Sequence, residues 1–170
     1  VALYHMVGIT PEARTLEEAC GGQAPAERVV VGRREIGAVM EQMGGVVDGP
    51  VDVVGIGCPH ASIDQMGRYA ALLDGKRVHS DTQLWVCTNV VVEEMARKMG
   101  YVAIIERAGA KLMVGTCHND CPLGAWGFRR LMTDSGKFAY YTPTTVGTQC
   151  VFASTEACIQ AAIAGKVERS

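Results

Sequence analysis

Long apolar runs and an excess of charge of one sign are both missing from this 170-residue sequence. No stretch reaches the roughly 18 consecutive apolar residues that a transmembrane helix needs, so we expect no membrane-spanning segment. The 16 Lys and Arg residues nearly balance the 18 Asp and Glu residues, for a formal net charge of −2. That balance provides no broadly basic surface, so we expect neither nucleic acid nor an anionic membrane as a partner.

Low-complexity segments and linkers are absent as well, and the 20 glycines follow no three-residue period, which excludes collagen. Apolar residues make up 48% and charged residues 20%, which is the usage of a globular protein. A chain of this length can bury one sizeable core, so we expect a single α/β domain over residues 1–170. The sequence begins at Val1 without Met and enters an apolar stretch at once, so we expect a piece of a longer polypeptide.

Seven cysteines are present, and an odd number cannot all pair within one chain. Their neighbours are those of core strands and helices rather than those of a disulfide-rich scaffold. We therefore expect free thiols and a reducing, cytoplasmic compartment. Packing is the favoured role for Cys20, Cys87 and Cys158, whose settings are helical or strand-like.

Short apolar strands alternate with helical segments along the chain. The strands that we predict are Leu3–Ile9, Arg28–Val31, Val51–Ile56, Leu84–Thr88, Lys111–Gly115, the short segment Leu131–Thr133, and Cys150–Phe152. The helices that we predict are a turn within Pro11–Cys20, then Gly32–Met43, Ile63–Leu73, Val90–Met99, Tyr101–Ala108, Lys137–Tyr141 and Thr155–Ala164. Strands that are apolar on both faces and separated by helices indicate a three-layer α/β/α sandwich with a mainly parallel sheet.

Two cysteines follow predicted strands, Cys58 after Val51–Ile56 and Cys117 after Lys111–Gly115. Ligands of open parallel sheets bind outside the carboxyl ends of the strands, so we expect both thiols at one edge. Pro59 would begin a helix, whose N-terminus would lower the pKa of the Cys58 thiol. Cys117 and Cys121 form a Cys-x3-Cys pair, which alone is a weak zinc signal. His118 adjoins Cys117, and we expect its side chain to point elsewhere.

The segment Asp134-Ser135-Gly136-Lys137 also follows a predicted strand. Its backbone N–H groups, one hydroxyl and one ammonium could hold a carboxylate or a phosphate. The alternative interpretation is that Ser135 caps a helix and that Lys137 is solvated.

Several motifs together resemble the aconitase X family. They are Gly57–Ser62, Gly115–Cys117 and Thr133–Tyr141, supported by His5–Ala13 near the start and Ala157–Ala162 near the end. The resemblance covers nearly the whole chain and corresponds to the C-terminal part of the family's large subunit or domain. It implies an aconitase-like fold and a dehydratase that carries an iron–sulfur cluster.

The resemblance assigns cluster-ligand roles to Cys58 and Cys117, with the third cysteine ligand upstream of this chain. Cys121 or Cys150 could take its place. The family's catalytic base is a serine of a small swivelling domain or subunit, so this chain supplies no catalytic residue and should be inactive in isolation. The upstream part and that small domain are the expected protein partners.

The implied substrate is a small hydroxy acid, with Ser135, Lys137, His60 and Ser62 as the candidate substrate-binding residues. Bacterial members of the family typically dehydrate cis-3-hydroxy-L-proline, and archaeal members dehydrate phosphomevalonate. A phosphate would call for more cations, and the candidate loops offer Lys137, Arg129 and Arg130. A third interpretation is a non-catalytic module that binds a small molecule or uses its cysteines for thiol redox chemistry.

Overall fold

A parallel sheet of five strands dominates the computed structural model, which describes residues 4–44, 48–145 and 147–167. The helices are α1 Leu16–Ala19, α2 Arg33–Gly44, α3 Ile63–Leu73, α4 Val90–Lys98, α5 Tyr101–Arg107, α6 Gly136–Thr145 and α7 Thr155–Ala164. The strands are β1 Gly49–Pro50, β2 Val53–Ala61, β3 Gln83–Thr88, β4 Lys111–Val114, β5 Arg130–Thr133, β6 Gln149–Phe152 and β7 Lys166–Val167. The strand order is β4-β3-β2-β5-β6, and every neighbouring pair in it is parallel.

The chain divides into two compact units, Val1–Ile36 and Gly37–Ser170. The first unit contains turns and the short helix α1, whose start is fixed by a capping box between Thr15 and Glu18. The second unit contains the sheet. It also contains a separate two-stranded antiparallel sheet that β1 and β7 form.

Alternate residues of the central strands pack into two separate apolar clusters, one on each face of the sheet. Val54 and Ile56 of β2 join a cluster with residues of α3, α4, α5 and α7. Val53 of the same strand joins a second cluster with Phe138 of α6 and with Leu123 from the loop after β4. A strand that is apolar on both faces is what a sheet covered on both sides requires. The predicted three-layer α/β/α arrangement is therefore confirmed.

Local capping chemistry fixes where three of the helices begin. The side chains of Ser62, Asn89 and Ser154 each accept a hydrogen bond from the backbone N–H three residues later. Asn89 and Ser154 are the N-caps of α4 and α7. Gly165 ends α7 in the left-handed conformation.

Two predicted strands near the start of the chain are wrong. Residues 4–9 form turns instead of a strand. The Thr10 hydroxyl accepts the Met6 N–H at 2.9 Å, and this bond reverses the direction of the chain. Leu3, where the predicted strand began, lies outside the described residues. Arg28–Val31 is irregular, and its three valines are exposed. β-Branched residues favour a strand only when a neighbouring strand is there to pair with, and among the described residues none pairs with this segment.

Pro59 does not begin a helix as predicted, and a second proline lies inside one. Pro59 lies within β2, because that strand continues to Ala61, which pairs with Thr88 before Ser62 caps α3. Pro143 lies inside α6 and does not end it. The hydroxyl of Thr142 donates to the Phe138 carbonyl at 2.6 Å, which adds a side-chain bond to the helix where the proline removes a backbone donor.

The seven cysteines are all free, as predicted. In the part of the chain that the structure describes, no helix is both long and apolar enough to cross a membrane.

Candidate metal and substrate site at the carboxyl edge of the sheet

Cys58 and Cys117 meet at the carboxyl edge of the sheet, with their Sγ atoms 3.2 Å apart. Cys58 lies near the end of β2, and Cys117 lies three residues beyond β4. Because β3 separates these two strands, the chain after β4 must cross the end of β3 to bring Cys117 to Cys58. The predicted convergence of the two thiols is confirmed.

Gly57 makes the approach of Cys58 to this edge possible. Its φ of 80° lies in the left-handed region, and a Cβ at this position would clash with the Cys87 carbonyl oxygen. Position 57 of β2 therefore accepts only glycine, because any side chain there would collide with β3.

The predicted reason for an acidic Cys58 thiol is wrong. Helix α3 begins at Ile63, so no helix N-terminus points at Cys58, which lies within β2. Burial raises the pKa of the neighbouring Cys117 thiol to about 11, although the Asn119 N–H that approaches its sulfur opposes the shift. In the metal-free chain Cys117 is therefore a protonated thiol at neutral pH, and a metal that binds it must displace the proton.

His118 is fully buried beside the two thiols, which corrects the expectation that it points elsewhere. Its ring lies against Gly55 of β2, where a Cβ would come within 3.0 Å of Cε1. One edge contacts the Phe138 ring, with 4.3 Å between centroids. A ring nitrogen of His118 and the sulfurs of Cys58 and Cys117 all lie within 4.8 Å of one another.

The hydrogen bonding of His118 leaves one ring nitrogen unused. Nδ1 lies 2.9 Å from the Sγ of Cys87, while Nε2 is buried and has no hydrogen-bond partner among the described residues. Burial lowers the pKa of the His118 ring to about 4, so the imidazole is neutral at pH 7. The sequence signal that could have found this residue is Gly55, because a glycine inside a strand often marks the close approach of another group.

The four predicted substrate residues fall into different settings. His60 is exposed, and its Nε2 lies 3.1 Å from the Thr116 carbonyl oxygen. Ser62 is exposed and its oxygen accepts the Gln65 N–H at 3.3 Å as the cap of α3. Ser135 is buried, and its oxygen accepts the Phe138 N–H at 3.2 Å. Lys137 is exposed and makes no hydrogen bond or ion pair with the described residues.

A small pocket of about 240 Å³ opens beside Cys58. His60, Gln65 and Asp134 line it together with the backbone of Gly57 and with Pro59. The structure thus brings His60 to Cys58, while the hydroxyls of Ser62 and Ser135 are used to cap helices.

Asp134 is the pocket residue that sequence reasoning missed, although it directly follows β5. Its Oδ2 accepts the Thr155 hydroxyl at 2.7 Å, and its carboxylate also accepts the backbone N–H of Gly57. Burial raises the pKa of Asp134 above its usual value, and these hydrogen bonds oppose the rise. Asp134 therefore joins the ends of β2 and β5 to the start of α7 and places a carboxyl group in the pocket.

The donor set at this edge fits a soft metal centre. Two sulfurs and one neutral imidazole converge, and thiolate and imidazole ligands suit iron, iron–sulfur clusters and zinc. Nε2 of His118 is buried and finds no partner in the part of the chain that the structure describes, which is a further sign that the site is built for a group beyond the protein's own atoms. Cys121 does not belong to this cluster, because its sulfur packs with the second apolar cluster beneath the sheet.

Comparison with known proteins identifies two family domains in the chain. The aconitase X second domain matches residues 1–41, and the aconitase X third domain matches residues 51–164. The chain is 36% identical over 168 residues to a cis-3-hydroxy-L-proline dehydratase of Pseudomonas aeruginosa, covering 98% of this chain and 29% of that protein. It is 35% identical over 156 residues to the phosphomevalonate dehydratase large subunit of Methanocaldococcus jannaschii, covering 92% of this chain and 37% of that protein.

A solved structure, the holo-form of aconitase X from Thermococcus kodakaraensis, has the same fold. Its TM-score is 0.69 at 29% sequence identity, and the match covers 82% of this chain and 36% of that one. The chain thus spans about a third of the length of its relatives. On the match to the third-domain family model over most of its length, this chain belongs to the aconitase X family.

Proposed function

We propose that this chain is the part of a dehydratase that holds an iron–sulfur cofactor and one wall of the substrate pocket. The single observation that carries the proposal is the 3.2 Å approach of the Cys58 and Cys117 sulfurs beside a pocket with ionisable groups. When bound, the cofactor would supply a Lewis acid for the leaving hydroxyl of a hydroxy acid. The chain's own residues hold that cofactor, bind the substrate and orient it.

The ligands that this chain supplies are the thiolates of Cys58 and Cys117. Cys58 lies on β2 and Cys117 follows β4, the strands on either side of β3, so the fold brings the two sulfurs together before any metal binds. The third ligand in this proposal is a cysteine from the upstream part of the polypeptide, as the family resemblance implies.

His60 and Lys137 make the direct substrate contacts in this proposal. A carbonyl oxygen only accepts hydrogen bonds, so the contact with Thr116 places the His60 proton on Nε2 and leaves the Nδ1 lone pair for a substrate hydroxyl. The exposed ammonium of Lys137 pairs with the substrate carboxylate.

Ser62 and Ser135 support the substrate site through the ends of helices. Each hydroxyl uses a lone pair to cap its helix and keeps its own proton free to donate. Ser62 is exposed and can donate to the substrate, whereas the buried Ser135 acts by fixing the loop that carries Lys137.

Asp134 favours cis-3-hydroxy-L-proline as the substrate. That amino acid carries a secondary ammonium group beside its carboxylate, and a pocket carboxylate is its natural partner. Phosphomevalonate has no ammonium group, and its phosphate would be repelled by Asp134.

The alternative substrate is phosphomevalonate, which the likeness to archaeal large subunits supports. Of the three cations that the sequence offers for a phosphate, two lie at the wrong end of the sheet. Arg129 and Arg130 are at the amino end of β5, where their backbone N–H groups bind the Asp52 carboxylate. Lys137 alone of the three lies beyond the carboxyl end, so one cation would have to serve both the carboxylate and the phosphate of phosphomevalonate, whereas cis-3-hydroxy-L-proline has only a carboxylate.

The proton is removed by a base outside this chain, in a small domain or subunit that completes the enzyme. The complete enzyme, purified without oxygen, tests the proposal by its absorption spectrum and by turnover of both substrates. Thiolate-to-iron bands with dehydration of cis-3-hydroxy-L-proline are expected. A colourless protein after reconstitution would favour a non-catalytic binding or thiol-redox module instead.

A further inference from the structure

One edge of the five-stranded sheet is left open by the described residues. β6 is the last strand in the order β4-β3-β2-β5-β6 and pairs with β5 alone. The N–H of Gln149 donates to the carbonyl just before β5 at 3.2 Å, and that of Ala153 donates to the last carbonyl of β5 at 3.0 Å. Because successive N–H groups of a strand point in opposite directions, those of Cys150 and Phe152 face away from β5, and no described residue accepts them.

The sequence of β6 does not protect this open edge. Exposed edge strands usually carry a charged residue, a proline or a bulge, each of which prevents pairing with another strand. β6 has the sequence Gln-Cys-Val-Phe, with neither charge nor proline, and its pairing with β5 is regular along its length. The opposite edge strand, β4, carries Lys111. β6 therefore has the features of a strand that is covered in the complete protein.

An apolar groove of about 750 Å³ opens at the same edge. The residues Gln149–Val151 of β6 line it together with Val39 and Met43 of α2 and with Tyr140 and Pro143 of α6. The Tyr140 side chain is 68% exposed, and Val39 is exposed as well. Contiguous apolar side chains that are open to solvent mark a surface that binds a partner.

The polar groups of the groove suit an added backbone better than a charged ligand. Of the described residues that line the groove, Arg130 alone is charged, and its Nη1 already donates to the Pro50 carbonyl at 3.2 Å. Thr148 also lines the groove and is 6% exposed, yet its Oγ1 has no hydrogen-bond partner among the described residues. Unpaired backbone groups beside apolar pockets are what strand addition uses, because the backbone of the added strand pairs with the edge and its alternate side chains fill the pockets.

We propose that an extended apolar segment of the same polypeptide, from outside these 170 residues, adds to β6 as a sixth strand of the sheet and fills this groove. The length of the relatives supports this occupant, because the match covers only 37% of the Methanocaldococcus jannaschii protein, which is itself a large subunit. The inference takes from the proposed function only that this chain is part of a larger enzyme. It uses none of the residues at the carboxyl edge of the sheet.

Photo-crosslinking in the complete enzyme identifies the occupant of the groove. A benzophenone amino acid in place of Tyr140 should crosslink to a peptide of the same polypeptide that lies outside these 170 residues. The same amino acid in place of Tyr141, which is not among the lining residues, is the matched control and should not label that peptide. A crosslink from position 140 to these 170 residues, to a second copy, or to the small domain or subunit would overturn the inference.

Hydrogen exchange of the complete enzyme, read at single residues, tests the added strand independently. The Val151 amide faces β5 and is the internal control. We expect the amides of Cys150 and Phe152 to exchange about as slowly as that of Val151, since all three are paired in a six-stranded sheet. Exchange at Cys150 and Phe152 that is roughly a hundredfold faster than at Val151 would show an open edge and would overturn the inference.

A charge placed in the groove should open the edge. Tyr140→Glu should speed exchange at Cys150 and Phe152 roughly tenfold or more, because an unpaired carboxylate is costly to bury under the added strand. Tyr141→Glu should leave both rates unchanged, and equal rates in the two variants would contradict the proposed position of the segment. Neither exchange nor crosslinking reads the iron, so the inference can fail while the proposed function stands, and an enzyme without iron would contradict the proposed function alone.

Discussion

The imidazole of His118 lies against Gly55 on one face of the sheet, in the space that a side chain at position 55 would fill. A Cβ at position 55 would come within 3.0 Å of Cε1 and 3.1 Å of both ring nitrogens. The absence of a side chain at Gly55 in β2 therefore allows His118 to lie beside the two thiols.

Replacing Gly55 by Ala should displace the His118 ring and destabilise the fold. Overpacking a buried site of this kind costs typically about 1–3 kcal/mol. Urea unfolding measures the free energy, and iron content of the complete enzyme measures the site. Gly37→Ala in α2 is the matched control, because none of the described residues lies within 4 Å of its added Cβ and alanine is the better helix former. Equal stability and iron content in the two variants would contradict the close packing of Gly55 and His118.

Lys137→Ala should weaken substrate binding and leave the iron content unchanged. A lost charge-assisted hydrogen bond costs about 1.5–3 kcal/mol, or roughly ten- to a hundredfold in affinity. Steady-state kinetics with cis-3-hydroxy-L-proline measure the effect, and Lys98→Ala, whose ammonium pairs with Glu94 on α4, is the control. Normal turnover by Lys137→Ala would mean that the segment 134–137 only caps a helix. Loss of iron from this variant would mean that Lys137 supports the fold around the site and does not bind the substrate.

Asp134→Asn should discriminate between the two substrates. The amide keeps an oxygen for the Thr155 hydroxyl but loses the negative charge that faces the substrate ammonium. We expect KM for cis-3-hydroxy-L-proline to rise roughly tenfold or more, and affinity for phosphomevalonate to hold or improve. The same loss for both compounds would mean that Asp134 only joins β2, β5 and α7.

Two thiols away from the site, the buried Cys158 and the partly buried Cys150, make the fold sensitive to alkali. Burial raises the pKa of Cys150 from its usual 9.0 to about 12, and raises that of Cys158 still further. Between pH 9 and 12 the unfolded chain therefore loses these protons first, so unfolding becomes easier as the pH rises. Urea unfolding of the metal-free chain should show a falling free energy across that window, with a shallower slope in Cys150→Ala. A free energy that is constant or rises there would contradict the burial of these thiols.

Local signals predicted most of the second unit. The ranges of α3 and α7 agree with the sequence pattern, because apolar periodicity acts within a few positions along the chain. The convergence of Cys58 and Cys117 was also predictable, since parallel strands end at one edge.

What the sequence did not reveal depends on contacts between distant segments. His118 and Asp134 acquire their roles from Gly55 and Gly57, more than 60 and 70 positions away, so no local pattern marks them. Arg28–Val31 has strand-forming side chains, but a strand also needs a partner that only the tertiary structure can supply.

Iron content and the visible spectrum of the complete enzyme, purified and reconstituted without oxygen, test the central claim that Cys58 and Cys117 hold the cofactor. We predict broad thiolate-to-iron absorption and bound iron in the unchanged protein and in Cys20→Ser, a free cysteine of the first unit. Cys58→Ser and Cys117→Ser should each lose the bands, the iron and all turnover. Iron and absorption that survive in either of these two variants would contradict the account.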